Sequence, residues 1–392
     1  MQIKDNNLNK TSTIYFVLIG VLFPLFSFSQ LSKQHYIPPV PEIVFESAHL
    51  YISTPHENVQ FTIKPIGKPS SSWVVGTLSS TYSYKKQIAI SEIGAKPWNY
   101  SPDHIFNDKG FEIFANREIY VSLRLRSRNH AGSLVSKGVD GLGKSFRVGG
   151  MERQGEEDYS FFSIMATKNN TIVNLNFDPS LRTFINQDEL PQNIILDKNE
   201  TYIAMFNGIH NDLFIGTHIE SQNNDIIVNS GSIQGSFSNE IIDSPNFFSG
   251  EETVGYLNGS DIGIDQIISL NSGVDATEYL LIKGDSFNSI ENALIIANED
   301  NTFVFLNNNT TINLNAGEHV FVEGTEFTNS PNTSVDYLYI QSNKNIYVFQ
   351  GTGKKGTAVN DRQQVHYYGA NQGMFFVPCL LYTSDAADEL RS

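Results

Sequence analysis

The chain has a single cysteine, Cys379, in 392 residues. An intrachain disulfide is excluded, so stability has to come from packed cores. Cationic residues are also scarce: 26 Lys and Arg face 42 Asp and Glu, a formal net charge of −16. That balance offers no broad electrostatic footing for nucleic acid or for an anionic membrane surface. Helical 3.6-residue periodicity is missing beyond the N-terminal segment,. Outside Ile14–Phe28 there is no apolar run approaching the roughly 20 residues a spanning helix needs. Several catalytic patterns are absent too. No His-Glu-x-x-His pair suits a zinc hydrolase,. No Asp-x-Asp-x-Asp-Gly loop suits calcium,. No Gly-x-Ser-x-Gly elbow is found, the order around Ser232 being Ser230-Gly231-Ser232-Ile233-Gln234-Gly235,. A glycosidase carboxylate pair stays open, because that geometry is spatial.

What the chain does have is repetition. Ile52-Ser53-Thr54-Pro55-His56-Glu57-Asn58-Val59-Gln60-Phe61 returns as Ile164 to Val173 and again as Ile295 to Val304. Each copy reads as a strand, a polar turn ending in Asn, and a second strand. Leu196 to Glu200 and Leu314 to Glu318 form a second shared stretch. Further strand pairs follow: Glu112–Ala115 into Ile119–Val121, His218–Ser221 into Ile226–Val228, and Tyr339–Ser342 into Ile346–Val348. Each unit then reads as closing on a Gly/Ser loop at Ala131-Gly132-Ser133, Gly231-Ser232 or Gly351-Thr352-Gly353. Asp265-Gln266-Ile267-Ile268 and Asn371-Gln372-Gly373-Met374 look like equivalent segments, with Gln266 and Gln372 as hydrogen-bonders between repeats. The copies start ~110 to 130 residues apart, the size of one small domain each,.

Short runs rich in Ile, Val, Phe, Tyr and Thr, punctuated by Asn, Asp, Gly and Ser, predict strands and tight turns. The expected fold is all-β: three tandem repeats of antiparallel β-sandwich-like units, at 30–150, 151–275 and 276–378. A β-propeller with two blades per repeat is the alternative. High aromatic content, 27 Phe and 17 Tyr, supplies core volume.

Lys4 and Lys10 precede the apolar Ile14–Phe28, and Ser27-Phe28-Ser29 offers small residues to a signal peptidase. Residues 1–29 therefore read as a cleaved secretory signal, with the cut between Ser29 and Gln30. Export places the mature chain in the medium or at the cell surface, with no membrane insertion after signal removal. At the other end, 379–392 reads as translated adapter sequence, foreign to the protein.

Four stretches carry a resemblance: Val121 to Gly149, Leu31 to Pro39, Gly263 to Ile267, and Ala370 to Pro378. Over about residues 31 to 378 the chain resembles the N-terminal domain of IgGFc-binding-protein-like proteins. It is similar in particular to the large secreted proteins of gliding Bacteroidetes that carry this domain. The resemblance implies an extracellular, β-rich adhesive region, with type IX secretion as the export route in bacterial members.

Gly138-Val139-Asp140-Gly141-Leu142-Gly143-Lys144-Ser145 matches the phosphate-loop pattern,. That chemistry requires a helix to follow, whereas Phe146-Arg147-Val148 reads as a strand, so a Gly-rich connection is expected. Arg124, Arg126 and Arg128 alternate, which puts them on one strand face with His130 nearby,. Guanidinium groups match carboxylates and sulfates bidentately, making this ridge the best candidate for ligand contact. Arginines in so acidic a chain more often pair with its carboxylates across repeat interfaces. Asp261, Asp265, Glu299 and Asp300 read as turn residues able to offer oxygen to calcium,; otherwise no cofactor is expected. The expected function is non-catalytic adhesion to, or recognition of, an extracellular polysaccharide or protein by part of a larger bacterial surface protein. A structural spacer is one alternative and a glycan-active enzyme a second.

Overall fold

A computed structural model describes residues 30–42, 46–95, 105–127, 130–151, 159–178, 191–207, 211–237, 241–245, 252–256, 261–270, 275–307, 309–330, 334–359 and 365–379. The α-helices among them are single turns, Ile90–Ile93 and Asn211–Phe214. Almost everything else regular is antiparallel strand, and among the described residues no closed barrel or propeller forms.

The first unit runs from β1 (Ser32–Ile37) through β2 (Val40–Pro41), β3 (Ser47–Ser53), β4 (Val59–Pro65), β5 (Val74–Leu78), β6 (Tyr84–Ile88), β7 (Gly94–Ala95), β8 (Ile105–Phe106), β9 (Phe111–Ser127) and β10 (His130–Val135). Its long strand β9 serves two layers. The N-terminal half pairs with β1 and β4, and β4 with β5, giving a back sheet. The C-terminal half pairs with β3 and β10, and β3 with β6, giving a front sheet. Inward residues from both layers, among them Leu50, Ile52, Phe61, Ile63, Ile113 and Val121, form one buried cluster.

The same wiring recurs. The second unit comprises β11 (Ser145–Arg147), β12 (Tyr159–Ala166), β13 (Thr171–Asn176), β14 (Asn193–Leu196), β15 (Thr201–Asn207), β16 (His218–Ser221), β17 (Ile226–Gly235), the hairpin β18 (Ile241–Pro245) and β19 (Glu252–Tyr256), and β20 (Asp261–Ile267). Its back sheet is ordered β11-β16-β13-β14 and its front sheet β20-β17-β12-β15, with β8 reaching across from the first unit. Because β11 pairs into this back sheet, the second sandwich begins before residue 151. The third unit comprises β21 (Glu278–Ile282), β22 (Asn292–Ala297), β23 (Thr302–Leu306), β24 (Thr310–Leu314), β25 (His319–Val322), β26 (Thr328–Asn329), β27 (Asp336–Ser342), β28 (Ile346–Val359) and β29 (Val365–Val377). Back order β21-β27-β23-β24 and front order β25-β22-β28-β29 repeat the second unit strand for strand. The three units are thus sandwiches of one eight-strand topology, as the repeat implied.

Local chemistry explains the repeated hairpin. Asn58, Asn170 and Asn301 have φ of 54°, 52° and 55°, the left-handed region that Asn tolerates better than other side-chain-bearing residues. A second Asn locks each turn, within β9 in the first unit, after β16 in the second and after β27 in the third. The side chains of Asn116, Asn223 and Asn343 accept the N–H of Gln60, Ile172 and Phe303 at 2.9, 3.1 and 2.7 Å. Thr171 and Thr302 hydroxyls close the second and third turns on the carbonyls of Lys168 and Glu299. Asn301→Ala should cost up to about 1 kcal/mol, since alanine keeps the left-handed Cβ but loses the short polar side chain that offsets it, whereas Asn301→Gly should be close to neutral. Paired chemical denaturation curves check this.

The sandwiches stack in series. Outward front-sheet residues Phe161, Ile203 and Ile233 of the second unit join the first unit's core. The front sheet of the third packs on the second: Phe349 lies against Gly149, and the Tyr347 hydroxyl donates to the Ser145 carbonyl at 2.9 Å. Buried Arg147 of the second unit donates to the carbonyls of Gly216 and Asn298, the latter in the third unit, each at 3.0 Å. Front strand β22 is therefore buried on both faces, while its counterpart β3 alternates.

Candidate functional site

That alternation marks the place where the stack is open. Cross-strand register equates the pairs Ile52–Val121, Ile164–Val228 and Ile295–Val348. The face that buries Phe161 in the second unit and Leu294 in the third carries His49, Tyr51, Arg124 and Arg126 in the first. Period-2 alternation along β9 turns both arginines outward while Leu123 and Leu125 fill the core,. The Arg124 guanidinium lies over the Tyr51 ring at 4.4 Å, and the Lys85 ammonium stands 5.4 Å from that ring's centroid. Slight burial and then the Lys85 charge hold His49 below the ordinary histidine value. Neither Arg124 nor Arg126 has an ion-pair partner among the described carboxylates. Among the described residues a ring, not a carboxylate, holds Arg124. Arg128 lies outside the described residues. His130 is a strand residue of β10 beside the Asp261 carboxyl.

Next to this face the edge strands of all three front sheets, β10, β20 and β29, come together. Register places Gly132, Gly263 and Gly373 at one position of that strand. Both later strands then shift register by a bulge. The sequence-based alignment of Gln266 with Gln372 is therefore corrected: Gly263 aligns with Gly373, and Gln266 with Phe376. The glycine-containing segments read as closing loops are likewise inside strands β10, β17 and β28. Both glutamines do bridge units. Gln266 accepts from Ser136 and from the Lys137 N–H, at 3.2 and 2.7 Å, and its amide donates to the Tyr36 carbonyl at 2.9 Å. Gln372 accepts from the Ser236 hydroxyl at 3.0 Å.

Two buried aspartates of β20 clamp the neighbouring edges. Asp261 accepts the N–H of Ala131 at 2.7 Å and of Ile262 at 3.0 Å, and also the backbone of Gln372. Burial pushes its carboxyl above the usual carboxylate range against the pull of those donors. Asp265 accepts the N–H of Val135, Gln266 and Phe376 at 3.3, 2.8 and 3.0 Å, and pairs with the buried Lys137 ammonium at 2.9 Å. One carboxylate thus holds all three sandwiches. Reading these aspartates as calcium-binding turn residues is overturned: both are strand residues whose oxygens are taken by donors. Asp300 does lie in a turn, where it accepts the Ala316 N–H at 3.0 Å. Among the described residues, no three His, Cys, Asp or Glu side chains group closely enough to hold a metal.

Between β10 and β29 lies a cavity of about 780 Å³ whose rim includes Arg124, Gln30 and Phe375. Its walls are mostly apolar, with Ile262, Met374 and Phe376, while Lys137 and Asp265 neutralise each other at its edge. The phosphate-loop look-alike runs into a 3₁₀ turn at Gly138–Gly141 and then strand β11, so it has no helix N-terminus to offer a phosphate.

The family model described as IgGFc binding protein matches residues 131–382. The chain belongs to this family. The matched stretch spans β10 and the two later sandwiches, so it holds all three glycine-bearing edge strands of the junction. Arg124 and Tyr51 lie ahead of it. Comparison with curated proteins and with solved structures gives no match. Members of the IgGFc-binding family are typically extracellular, and a ligand-binding or surface role follows for this chain. Among the described residues no helix is long and apolar enough to cross a membrane. Of the 379–392 segment only Cys379 is described, buried with its thiol 3.4 Å from the Asp275 carbonyl.

Proposed function

We propose that this IgGFc-binding-family chain is a non-catalytic adhesive region of a larger secreted or surface protein, bacterial and exported through a cleaved signal at Ser29/Gln30. It recognises an extracellular ligand on the open front sheet of the first sandwich. One observation carries the reading. A face that the fold buries in the second and third units is left open in the first, and there it carries cations and a ring in a strongly acidic chain. Occupation of Asp261 and Asp265 by N–H donors leaves neither free as a general acid or base, which supports a non-catalytic role.

The test is a screen of the purified chain against extracellular proteins and glycans, with and without calcium. The expected hit weakens about tenfold or more in Arg124→Gln/Arg126→Gln, since each charge-assisted contact contributes about 1.5–3 kcal/mol. Thermal melting of the variant should be unchanged. A well-folded chain that binds nothing, or a hit indifferent to both arginines, overturns the site and favours a structural spacer.

A further inference from the structure

The three edge-strand glycines differ in one respect. Any side chain at Gly132 would collide with Ile262 of the next unit, and any at Gly263 with Met151 of its own unit and Met374 of the next. At Gly373 an added Cβ would meet nothing within 4 Å. Two of three equivalent positions are therefore covered by aliphatic or thioether side chains from other segments. The third faces the junction cavity, whose walls include Ile262, Met374 and Phe376. Arg124, without an ion-pair partner among the described carboxylates, stands at the rim of the same cavity.

We propose that this cavity binds an extended peptide segment of a partner protein, with an aliphatic side chain seated over Gly373 and a carboxylate on Arg124. The inference deepens the reading above and rests on it, naming the ligand class of that site. Three observations converge on a peptide. The covered glycines show what this position accepts: apolar side chains, with Ile262 and Met374 arriving from β-strands and Met151 from a connecting segment. Apolar walls suit an aliphatic side chain and leave a sugar's hydroxyls without partners. The charge balance is net positive at the rim, because the Lys137–Asp265 pair cancels while Arg124 does not. A guanidinium there prefers a carboxylate, which it can engage through two parallel hydrogen bonds.

The experiment uses the whole chain and an array of synthetic extended peptides. These pair Asp or Glu with Ile, Leu, Met or Phe at each spacing, with Asn, Gln and Lys versions as controls. Acidic-aliphatic peptides should bind and their amide versions should bind at least about tenfold more weakly, the loss of one charge-assisted contact. Gly373→Leu fills the vacancy from within and should abolish binding with unchanged melting, since it has open space to occupy. Arg124→Gln should weaken it about tenfold or more, while Val75→Thr, on the opposite sheet, should not. Peptides that bind equally to Gly373→Leu overturn the cavity as the seat. Binding of no peptide, or of uronate glycans in their place, overturns the peptide class. A protein hit in the broader screen that survives Gly373→Leu but not loss of the arginines would sink this inference and leave the open-face reading intact.

Discussion

Replacing Asp265 with alanine is expected to cost about 3–5 kcal/mol, the scale measured when one partner of a buried ion pair is removed. The reasons lie in its surroundings. Lys137 is 4 % exposed and Asp265 likewise, at 2.9 Å. Loss of the carboxylate strands an ammonium out of water. It also leaves the N–H groups of Val135 and Phe376 without their acceptor, each a desolvation cost of about 1–3 kcal/mol when nothing replaces it. These donors belong to the first and third sandwiches while Asp265 belongs to the second. The damage should therefore fall on the stacking of units more than on any one core. Unfolding that is cooperative in the parent should split into separate transitions in the variant. Asp265→Asn, which keeps an acceptor but not the charge, should be milder. A double replacement, Asp265→Leu/Lys137→Met, should recover much of the loss, since an apolar pair can substitute for a buried ion pair. Calorimetry of the three variants separates these outcomes. A fully cooperative, parent-like transition in Asp265→Ala would remove the clamp from the account.

How far such features are legible beforehand depends on their range. The hairpins were readable because the requirement is local: a left-handed residue between two strands is met by Asn at 58, 170 and 301, and the triplet shows in the sequence. The alternation of Arg124 and Arg126 was readable for the same reason. Their ring partner was not, because Tyr51 reaches Arg124 only through the β3–β9 pairing. The edge-strand alignment went astray on Gln266 and Gln372. Identity of a side chain is weaker evidence of register than a steric demand, and the glycines carry the demand. The extra residue also lies on β17 in one pairing and on β29 in the other, which a gapless comparison cannot see. The aspartate clamps were misread as turns for another reason. Their partners lie as far as 130 residues away, and composition alone suggests that acidic residues sit in solvent. The cavity itself is lined from β9, β10, β20 and β29 together, a property of the assembly and not of any segment.

Lowering the pH from 6.5 toward 4 is expected to remove about 3 kcal/mol of stability through one histidine, His35. It is fully buried on β1, where its Nε2–H donates to the carbonyls of Ser32 and Ile119 at 3.1 and 2.9 Å. Its Nδ1 has no partner. Burial pushes its pKa down from 6.5 to about 4, against the two carbonyls that favour the charged ring. In the unfolded chain the ring takes a proton near its ordinary value. The folded state refuses that proton until about pH 4, so between the two values acid favours unfolding. Stability from this group is complete above pH 6.5 and is lost as the pH falls to about 4. His218, also lowered to about 4 by burial and then by the Arg147 charge, adds in the same direction with a smaller effect because it is only partly buried. Ser32 and Ile119 are the ends of the pairing between β1 and β9, so the first sandwich should open first. Denaturation midpoints across this range, for the parent and for His35→Gln, supply the check. Glutamine can donate to the same carbonyls and does not titrate. The difference between the two proteins should shrink steadily below pH 6.5. A difference that stays constant with pH would place the acid sensitivity elsewhere.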